Sequence, residues 1–199
     1  RSGNSITDSG TVTVGQAFFA TTDANNGVIN LDQLAVDGVV VLATNGSGNA
    51  TVVNDAGLTI HAITQTVGGN LTATATTGNI EDSGTGLTIA GTSSFTTSTN
   101  NADIILDDTG HAFTGAVTLN TSGSTGNATI DNGTTALNIA ASSVGGNLTL
   151  TSGATAGITD SGTVTVGGNL VATTDANNGL INLGTLAVDG TVALTTNGS

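Results

Sequence analysis

Two histidines are the side chains best suited to acid–base chemistry in this sequence. His61 stands in "LTIHAIT" (58–64), where the alternation of a β-strand predicts that His61 points outward. Its neighbours Ile60 and either Ala62 or Ile63 would then point inward. An isolated, exposed histidine is more often a surface residue than a catalytic one, so we predict no catalytic role for His61.

His111 follows "LDDTG" (106–110), so Asp107, Asp108 and His111 could approach one another in a turn. A nucleophile–base–acid set also needs a Ser or Thr held in a fixed geometry. Ser and Thr occur throughout this chain, so their presence near His111 carries little weight. We predict that His111 is a polar residue at the surface of a turn, with a metal or ligand site as the alternative.

Paired carboxylates would be needed for glycoside hydrolysis, at a separation of about 5–10 Å. Asp107 with Asp108, and Glu81 with Asp82, are sequence neighbours, which a strand directs to opposite faces. The pectin-cleaving β-helices are the enzyme alternative, but Arg1 is the only Lys or Arg available to bind a substrate carboxylate. We therefore predict that the protein is not an enzyme and that it has no catalytic, cofactor-binding or metal-binding residues.

Calcium is the ion that this acidic sequence suits best, because hard cations prefer oxygen ligands. The recurring Asp8, Asp82 and Asp160 are too far apart in the repeat to share an ion, and the EF-hand pattern is absent. We predict that the acidic residues cap turns through their side chains, with Ca²⁺ binding kept as an alternative. The best candidate stretches are "DANN" (23–26 and 175–178), "LDDTG" (106–110) and "IEDSG" (80–84).

Threonine-rich stretches raise the possibility of a flat recognition surface for ice or glycan. They are "TATATT" (72–77) and "FTTSTNN" (95–101). The threonines are spread over many strands rather than confined to one position per coil, so we predict that they support solvent-facing strands. Asn-x-Ser/Thr triplets such as Asn70-Leu71-Thr72 are expected by chance in a chain so rich in Asn and Thr.

Composition indicates a folded all-β protein. The chain has 199 residues, 37% of them hydrophobic and 8% charged, with 30 Gly and no Pro, Cys, Met, Trp or Tyr. Thr, Val, Ile, Asn, Ser and Gly are poor helix formers, and no run of residues is apolar enough to span a bilayer. A net charge of −13 excludes binding to nucleic acid and disfavours anionic lipid surfaces.

Repeats at two scales organise the chain. Residues 6–47 and 158–199 are identical at 32 of 42 positions without a gap, 152 residues apart. Glycine pairs divide the sequence more finely, into seven units, of which the second and fifth are longer, 31-residue variants. These units are 17–38, 39–69, 70–91, 92–115, 116–146, 147–168 and 169–190. They combine into a superrepeat of roughly 76 residues, and the two cleanest units, 147–168 and 169–190, each contain three short apolar patches.

Three short strands with tight turns fit one coil of a parallel β-helix. We predict an all-β, right-handed parallel β-solenoid with coils of about 22 residues and 31-residue variants, whose nine extra residues widen a side or form a hairpin. The predicted core ladders are Leu148–Leu170–Val192, Val164–Leu186, Val166–Val188 and Ile158–Ile181, the last with one residue of slack. Val12 and Val14 belong to the same kind of ladder.

Several motifs resemble the repeats of bacterial filamentous-haemagglutinin-type adhesins. They are "VGGNLT" (67–72 and 144–149), "ITDSGTVTVGGN" (158–169), "ADIILDDTGHAFTGAVTL" (102–119) and "ALNIAASSVGGNLTL" (136–150). The likeness extends over essentially the whole chain. It implies a right-handed β-helix, an extracellular location, and roles in attachment, aggregation or biofilm. The amino-terminal secretion domain typical of that family is not recognisable in this chain.

These observations together predict one continuous β-solenoid over residues 1–199, with about eight or nine coils, cut from a longer repetitive protein. The expected function is a shaft segment of a large secreted or surface-exposed bacterial adhesin or extracellular fibre. The expected partners are flanking repeats of the same chain, further copies stacked end to end, and host or cell-surface glycans. A Ca²⁺-, glycan- or ice-binding solenoid module is the alternative function.

Overall fold

The computed structural model describes residues 4–23, 25–62 and 66–198, and every regular element among them is a β-strand. The strands form nine successive coils. Coil 1 contains β1 Ile6–Thr7, β2 Val12–Val14 and β3 Phe18–Thr21; coil 2 contains β4 Ile29–Val36 and β5 Val39–Ala43; coil 3 contains β6 Ala50–Asn54, β7 Leu58–Ala62 and β8 Thr66–Val67. Coil 4 contains β9 Leu71–Ala75, β10 Ile80–Gly84 and β11 Thr88–Ile89; coil 5 contains β12 Ser93–Asn100, β13 Ile104–Leu106 and β14 Ala112–Phe113. Coil 6 contains β15 Val117–Ser122 and β16 Ala128–Asp131; coil 7 contains β17 Leu137–Ile139, β18 Ser142–Val144 and β19 Leu148–Ser152. Coil 8 contains β20 Ile158–Asp160, β21 Val164–Val166 and β22 Leu170–Asn177; coil 9 contains β23 Ile181–Asn182, β24 Leu186–Val188 and β25 Val192–Asn197.

Two parallel sheets extend along the whole solenoid. Face 1 is formed by the first strand of each coil, in the order β1, β4, β6, β9, β12, β15, β17, β20, β23. Face 2 is the nine-stranded sheet β3, β5, β7, β10, β13, β16, β19, β22, β25. We call the corner where the chain passes from face 1 to face 2 the forward edge. The corner where it passes from face 2 back to face 1 is the return edge.

The number of residues between paired positions of neighbouring face 2 strands gives the length of each coil. The step from Val40 to Ile60 is among the shortest on this face, and the step from Ile80 to Ile104 is among the longest. Both steps lie close to the predicted repeat, so the coils differ little in length. Eight steps of about 4.8 Å between nine strands give a solenoid about 38 Å long. The predicted β-solenoid with coils of about 22 residues is thus confirmed.

The predicted ladders are confirmed as well, because each pair lies in register between neighbouring coils. Inward residues that have a coil on either side, such as Val164 and Leu170 of coil 8, are completely buried. The confirmed pairs are Leu148 with Leu170, Leu170 with Val192, Val164 with Leu186, Val166 with Val188, Ile158 with Ile181, Val12 with Leu34, and Val14 with Val36.

Aliphatic ladders fill most of the core, and an aromatic pair lies at its middle. Phe95 and Phe113 are both fully buried in coil 5. Their ring centroids are 5.7 Å apart at an interplanar angle of 71°, which is the edge-to-face arrangement favoured by aromatic quadrupoles.

A third strand lies at one edge of most coils, and this strand changes edge twice along the solenoid. In coils 1 and 2 it lies at the forward edge, as β2 and the second half of β4. In coils 3–5 it lies at the return edge, as β8, β11 and β14. In coils 7–9 it is again at the forward edge, as β18, β21 and β24. Coil 6, between the last two groups, consists of β15 and β16 alone.

The 31-residue units are not lengthened coils, and that part of the prediction is wrong. Gly38 precedes β5 on face 2, whereas Gly69 precedes β9 on face 1. The chain therefore completes one and a half coils between these two glycines, and it does so again between Gly115 and Gly146. The nine extra residues are half a coil rather than a hairpin. The superrepeat is consequently three and a half coils long, and the 152-residue repeat is seven.

Equivalent residues of successive superrepeats therefore lie on opposite faces. The motif "VGGNL" occurs at 67–71 and 144–148. Its leucine is Leu71 on face 1 in the first copy and Leu148 on face 2 in the second. The same exchange places Ile80 on face 2 and Ile158 on face 1. Because both faces bury the same residue types, the sequence tolerates this exchange without a change of core.

Two buried asparagines end the third-strand columns, and the sequence analysis did not single them out. Asn54 and Asn132 are both fully buried. The Asn54 amide accepts a hydrogen bond from Val36 N (2.8 Å) and donates to Val36 O (2.9 Å) and Gly57 O (2.7 Å). One side chain thus supplies the donor and acceptor that a neighbouring strand would otherwise provide to the end of β4.

Asn132 repeats this arrangement at the other edge. Its amide accepts from Phe113 N (2.7 Å) and donates to Phe113 O (3.1 Å) and Ala136 O (2.8 Å), which ends the column β8, β11, β14. Asn54 and Asn132 lie in the two 31-residue units, where the third strand changes edge. Each amide therefore marks a half-coil shift.

Close stacking of turns explains the glycine pairs. A Cβ on Gly68 would overlap the carbonyl oxygen of Gly46, and a Cβ on Gly145 would overlap that of Gly123. Gly46 and Gly68 lie at equivalent corners of consecutive coils, and so do Gly123 and Gly145. The backbone approaches so closely at these corners that no larger residue fits without displacing the neighbouring coil.

Candidate functional site

His111 is buried, which corrects the prediction that it lies at the surface of a turn. Its side chain is fully enclosed, and its ring packs on Phe113 with a centroid distance of 5.0 Å. His111 and Phe113 flank Ala112, so both follow the inward alternation of β14. The sequence suggested that the side chains of Asp107 and Asp108 could approach His111, but neither of them makes the main contact with its ring. The carboxylate that pairs with the ring belongs to Asp82, one coil earlier.

The hydrogen bonds of His111 determine where its proton lies. Nδ1 accepts a hydrogen bond from the backbone N–H of Leu87 at 2.8 Å, so this nitrogen carries no proton. In the neutral form of the ring the proton is therefore on Nε2, which lies 3.5 Å from Asp82 Oδ2 and makes no hydrogen bond among the described residues. This arrangement holds the return edge in place between coils 4 and 5. It presents no base or nucleophile to solvent.

His61 lies on the outer side of β7, as predicted, since Ile60 and Ala62 are buried while His61 is only half-buried. Its Nδ1 lies 2.9 Å from Ser83 Oγ in the next coil. Ile63, the alternative inward residue, is outside the described residues. This contact with Ser83 thus joins two coils. The partner of His61 is a serine hydroxyl and not a carboxylate, so the two side chains do not form an acid–base pair.

The recurring aspartates of the "DSG" motif bind backbone N–H groups through their side chains, as predicted, but these groups belong to the following coil. Asp8 Oδ2 accepts from Gln33 N at 2.8 Å, and Asp82 Oδ1 accepts from Asp107 N at 3.1 Å. In both cases the donor belongs to the coil after the one that carries the acceptor. Each carboxylate therefore connects its own coil to the following one through a hydrogen bond.

Asp160 makes the fullest version of this cap. Its two carboxylate oxygens accept from Gly184 N at 2.8 Å, from Thr185 N at 2.7 Å and from the Thr185 hydroxyl. Burial acts to raise the pKa of Asp160, but the hydrogen bonds from Thr185 and Gly184 outweigh it and hold the pKa below the usual range. The ionised carboxylate is thus the form that joins coil 8 to coil 9.

Asparagine and aspartate side chains also form columns at the turns before the face strands. Before face 2, the side-chain oxygen of each residue accepts a hydrogen bond from the backbone N–H of the residue one coil later, at 2.7–2.9 Å. This column is Asn79, Asp103, Asn127, Asn147, Asn169 and Thr191. Before face 1, Asn49, Asn70 and Thr92 form a shorter column of the same kind. Asn70, in the triplet Asn70-Leu71-Thr72, is therefore engaged between coils.

Each of the two "DANN" stretches ends in a left-handed asparagine. Asn26 and Asn178 each have φ of 60°, and Asn101, their counterpart in the intervening superrepeat, has φ of 66°. Asn26 Oδ1 accepts from the backbone N and the hydroxyl of Ser47, both at 2.8 Å. The Asn101 side chain likewise accepts from Thr125 N at 3.2 Å, so Asn26 and Asn101 bind the next coil in the same way as the aspartate caps. Asn tolerates this backbone region better than most residues.

Asp131 and Asp175 line a shallow groove on face 2 with Thr109, Thr134 and two glycines. Burial raises the pKa of Asp131, and the negative charges of Asp175 and Asp107 act in the same direction. The hydrogen bond from Gly133 N at 2.8 Å only partly offsets these effects. The groove is thus a place where like charges accumulate.

In the part of the chain that the structure describes, no group of three or more His, Asp or Glu is arranged to hold a metal ion. Among the same residues there is no helix that could cross a membrane.

The threonines are more ordered than the sequence suggested, because the register collects many of them into columns. On face 1, outward residues Thr51, Thr72, Ser94 and Thr118 pair in succession. On face 2, Thr151, Thr173 and Thr195 do the same. Other threonines are internal: the hydroxyls of buried Thr22, Thr44, Thr97 and Thr174 donate to backbone carbonyl groups four or five residues later.

A family model described as "Repeats of unknown function (DUF5649)" matches the chain twice, over residues 47–120 and 125–179. The matches cover more than half of the chain, so the chain belongs to this family of repeat proteins. Their starting points, residues 47 and 125, are separated by about one superrepeat of three and a half coils. No curated protein and no solved structure matches the chain.

Proposed function

We propose that this chain is a structural shaft segment of a large secreted or surface-exposed bacterial adhesin or extracellular fibre. The observation that carries the proposal is the use of its polar side chains. Asp8, Asp82, Asp160 and the asparagine columns bind the backbone of the next coil. They therefore stiffen a rod, and this role requires no catalytic group. The resemblance of the "VGGNLT" and "ITDSGTVTVGGN" motifs to filamentous-haemagglutinin repeats supports the same role.

The shaft acts as a spacer whose length is set by the number of repeats. A 152-residue repeat of seven coils adds about 34 Å of rod at about 4.8 Å per coil. Such a rod holds a binding region or neighbouring subunits away from the cell during attachment, aggregation or filament formation. The net charge of −13 keeps parallel rods apart in solution.

Surface exposure in the source organism is the direct test. Antibodies against this chain should label intact cells or detect the chain in the culture medium, and mild proteolysis of intact cells should remove the cell-bound signal. Cells that lack the gene should attach or aggregate less. Detection only inside lysed cells, with attachment unchanged, would refute the proposal.

The hydroxyl columns of faces 1 and 2 favour one second candidate, a module that binds glycan or ice. Thr51, Thr72 and Thr118 point outward in one row, about 4.8 Å apart along the axis where coils are adjacent. Retention on insoluble polysaccharide or on ice, lost when Thr51 and Thr72 are replaced by Lys, would support this function. The Ca²⁺ version predicts a rise in Tm on adding Ca²⁺ that a chelator reverses.

A further inference from the structure

Coil 9 repeats coil 2 in both sequence and structure. Val192 and Leu194 are the same residue types as Val40 and Leu42, 152 positions earlier. Each coil places its strands on face 1, at the forward edge and on face 2, in that order. The two coils therefore present equivalent surfaces along the solenoid axis. The other equivalent inward residues are Ile29 and Ile181, Leu34 and Leu186, and Val36 and Val188.

Coil 3 covers coil 2, whereas none of the described residues covers coil 9. Val40 and Leu42 are 0% and 4% exposed, but Val192 and Leu194 are 47% and 51% exposed. Since the side chains are identical, the difference comes from the missing neighbour. Coil 9 thus exposes on its axial face two apolar side chains that form core in coil 2.

The contacts of coil 3 on coil 2 specify which sequence covers such a face. The amide of Asn54 binds both Val36 N and Val36 O, and Asn49 O accepts from Ile29 N at 2.9 Å. Asn26 Oδ1 accepts from Ser47 N and from the Ser47 hydroxyl, as described above. On coil 9 the counterparts of Val36 and Ile29 are Val188 and Ile181, and β24 pairs only with β21 among the described strands.

We infer that the axial face of coil 9, formed by residues 181–197, is a docking surface for the third-coil segment, residues 48–67, of a second copy of this sequence joined in the same chain. Residues 48–199 number 152 and comprise coils 3–9. A further copy of this unit continues the solenoid in register, with its Asn54 on Val188 and its apolar residues over Val192 and Leu194. The inference depends on coil geometry and stands whether or not the shaft function proposed above is correct.

Coil 1 of another copy does not match this surface. Its sequence recurs in coil 8, which stacks on coil 7 rather than on a coil of the coil 2 type. Simple end-to-end contact of two separate chains would also leave Val188 without the amide that ends the forward-edge column. The matching occupant is therefore the third-coil segment.

The test is a tandem protein in which residues 48–199 follow Ser199 directly. Hydrogen exchange of peptide 186–198 should slow by roughly tenfold or more relative to the single chain, to the rate of peptide 34–46. Small-angle scattering should show a maximum dimension larger by about 34 Å, which is seven coils of about 4.8 Å. A matched control lacks residues 48–57 in the second copy, so that the copy begins with a face 2 strand, half a coil out of phase.

Three outcomes would overturn the inference. The first is unchanged exchange of peptide 186–198 in the tandem protein while the remainder of the first copy stays protected. The second is equal protection in the half-coil control. The third is a concentration-dependent dimer of the single chain that protects the same peptide, because it would identify coil 1 of a separate molecule as the occupant. Asn54→Leu in the second copy alone should restore fast exchange in part.

Discussion

Asn132→Leu tests whether a single amide ends the column of third strands. Leucine has the same branched shape as asparagine, but its methyl groups cannot bond to the backbone. The substitution removes three hydrogen bonds, two to Phe113 and one to Ala136. Phe113 is fully buried, so its N–H and C=O lose their partners in a place that water does not reach.

The magnitude follows from these unpaired groups. A buried backbone group left without a partner costs about 1–3 kcal/mol. Two such groups at Phe113, together with the weaker loss at Ala136, give about 4 kcal/mol of lost unfolding free energy. For a chain of this size each kcal/mol lowers Tm by about 2–4 °C, so the expected fall is about 8–16 °C. Asn54→Leu should cost the same, because Asn54 makes the same three bonds.

The assay is thermal unfolding followed by circular dichroism, with Asn182→Leu as the control. Asn182 is exposed, and its replacement should change the unfolding free energy by less than about 0.5 kcal/mol. The Asn54→Leu and Asn132→Leu losses should add in the double variant, since the two sites are three coils apart. A loss below about 1 kcal/mol at either buried site would refute the role assigned to the amides.

Three further substitutions address the connections between coils and the acidic groove. Asp160→Ala removes the cap on coil 9, so hydrogen exchange in residues 181–197 should accelerate. Its effect should decline as pH falls below about 3.8, the ordinary pKa, and should be lost once pH has fallen through the lowered pKa of Asp160, where the native carboxylate loses its charge. Asp131→Asn should raise Tm at pH 7 by an amount worth less than about 1 kcal/mol, because ionisation of Asp131 disfavours the folded state. This gain should shrink as pH falls through the raised pKa and vanish below about 3.8. His111→Phe should cost about 2 kcal/mol, measured by denaturant unfolding, because Leu87 N then lacks an acceptor.

Matched measurements make these outcomes decisive. Asp189→Ala, at an exposed aspartate of coil 9, should leave exchange in residues 181–197 unchanged. Equal acceleration by Asp160→Ala and Asp189→Ala would contradict the capping role. For Asp131→Asn, a fall in Tm at pH 7 would show that its charge stabilises the fold. A stable His111→Phe variant would mean that Leu87 N finds another acceptor.

Register and core were predictable because the repeat carries its own alignment. Leu148, Leu170 and Val192 occupy the same place in successive units, and stacked coils bring such residues together. His111 was misplaced because the turn-forming sequence before it outweighed the alternation from His111 to Phe113. That alternation was the signal that could have identified it as buried.

The half-coil shift could not be read from glycine spacing alone. A coil has two corners where turns stack closely, and "GGN" fits either of them, as Gly69 and Gly146 show. The direction of the aspartate caps was hidden for a related reason. Asp160 has donors close by in its own turn, but the N–H groups that it binds belong to the turn stacked one coil later.

A unit with a half-integral number of coils has a consequence for anything displayed on its surface. A feature fixed at one position of the superrepeat reappears about 17 Å farther along on the opposite side, and on the same side only after about 34 Å. The outward threonines follow this rule, with Thr72 on face 1 and its counterpart Thr149 on face 2. A long array of such units therefore displays each repeated feature on both of its faces, at intervals of about 34 Å along each face.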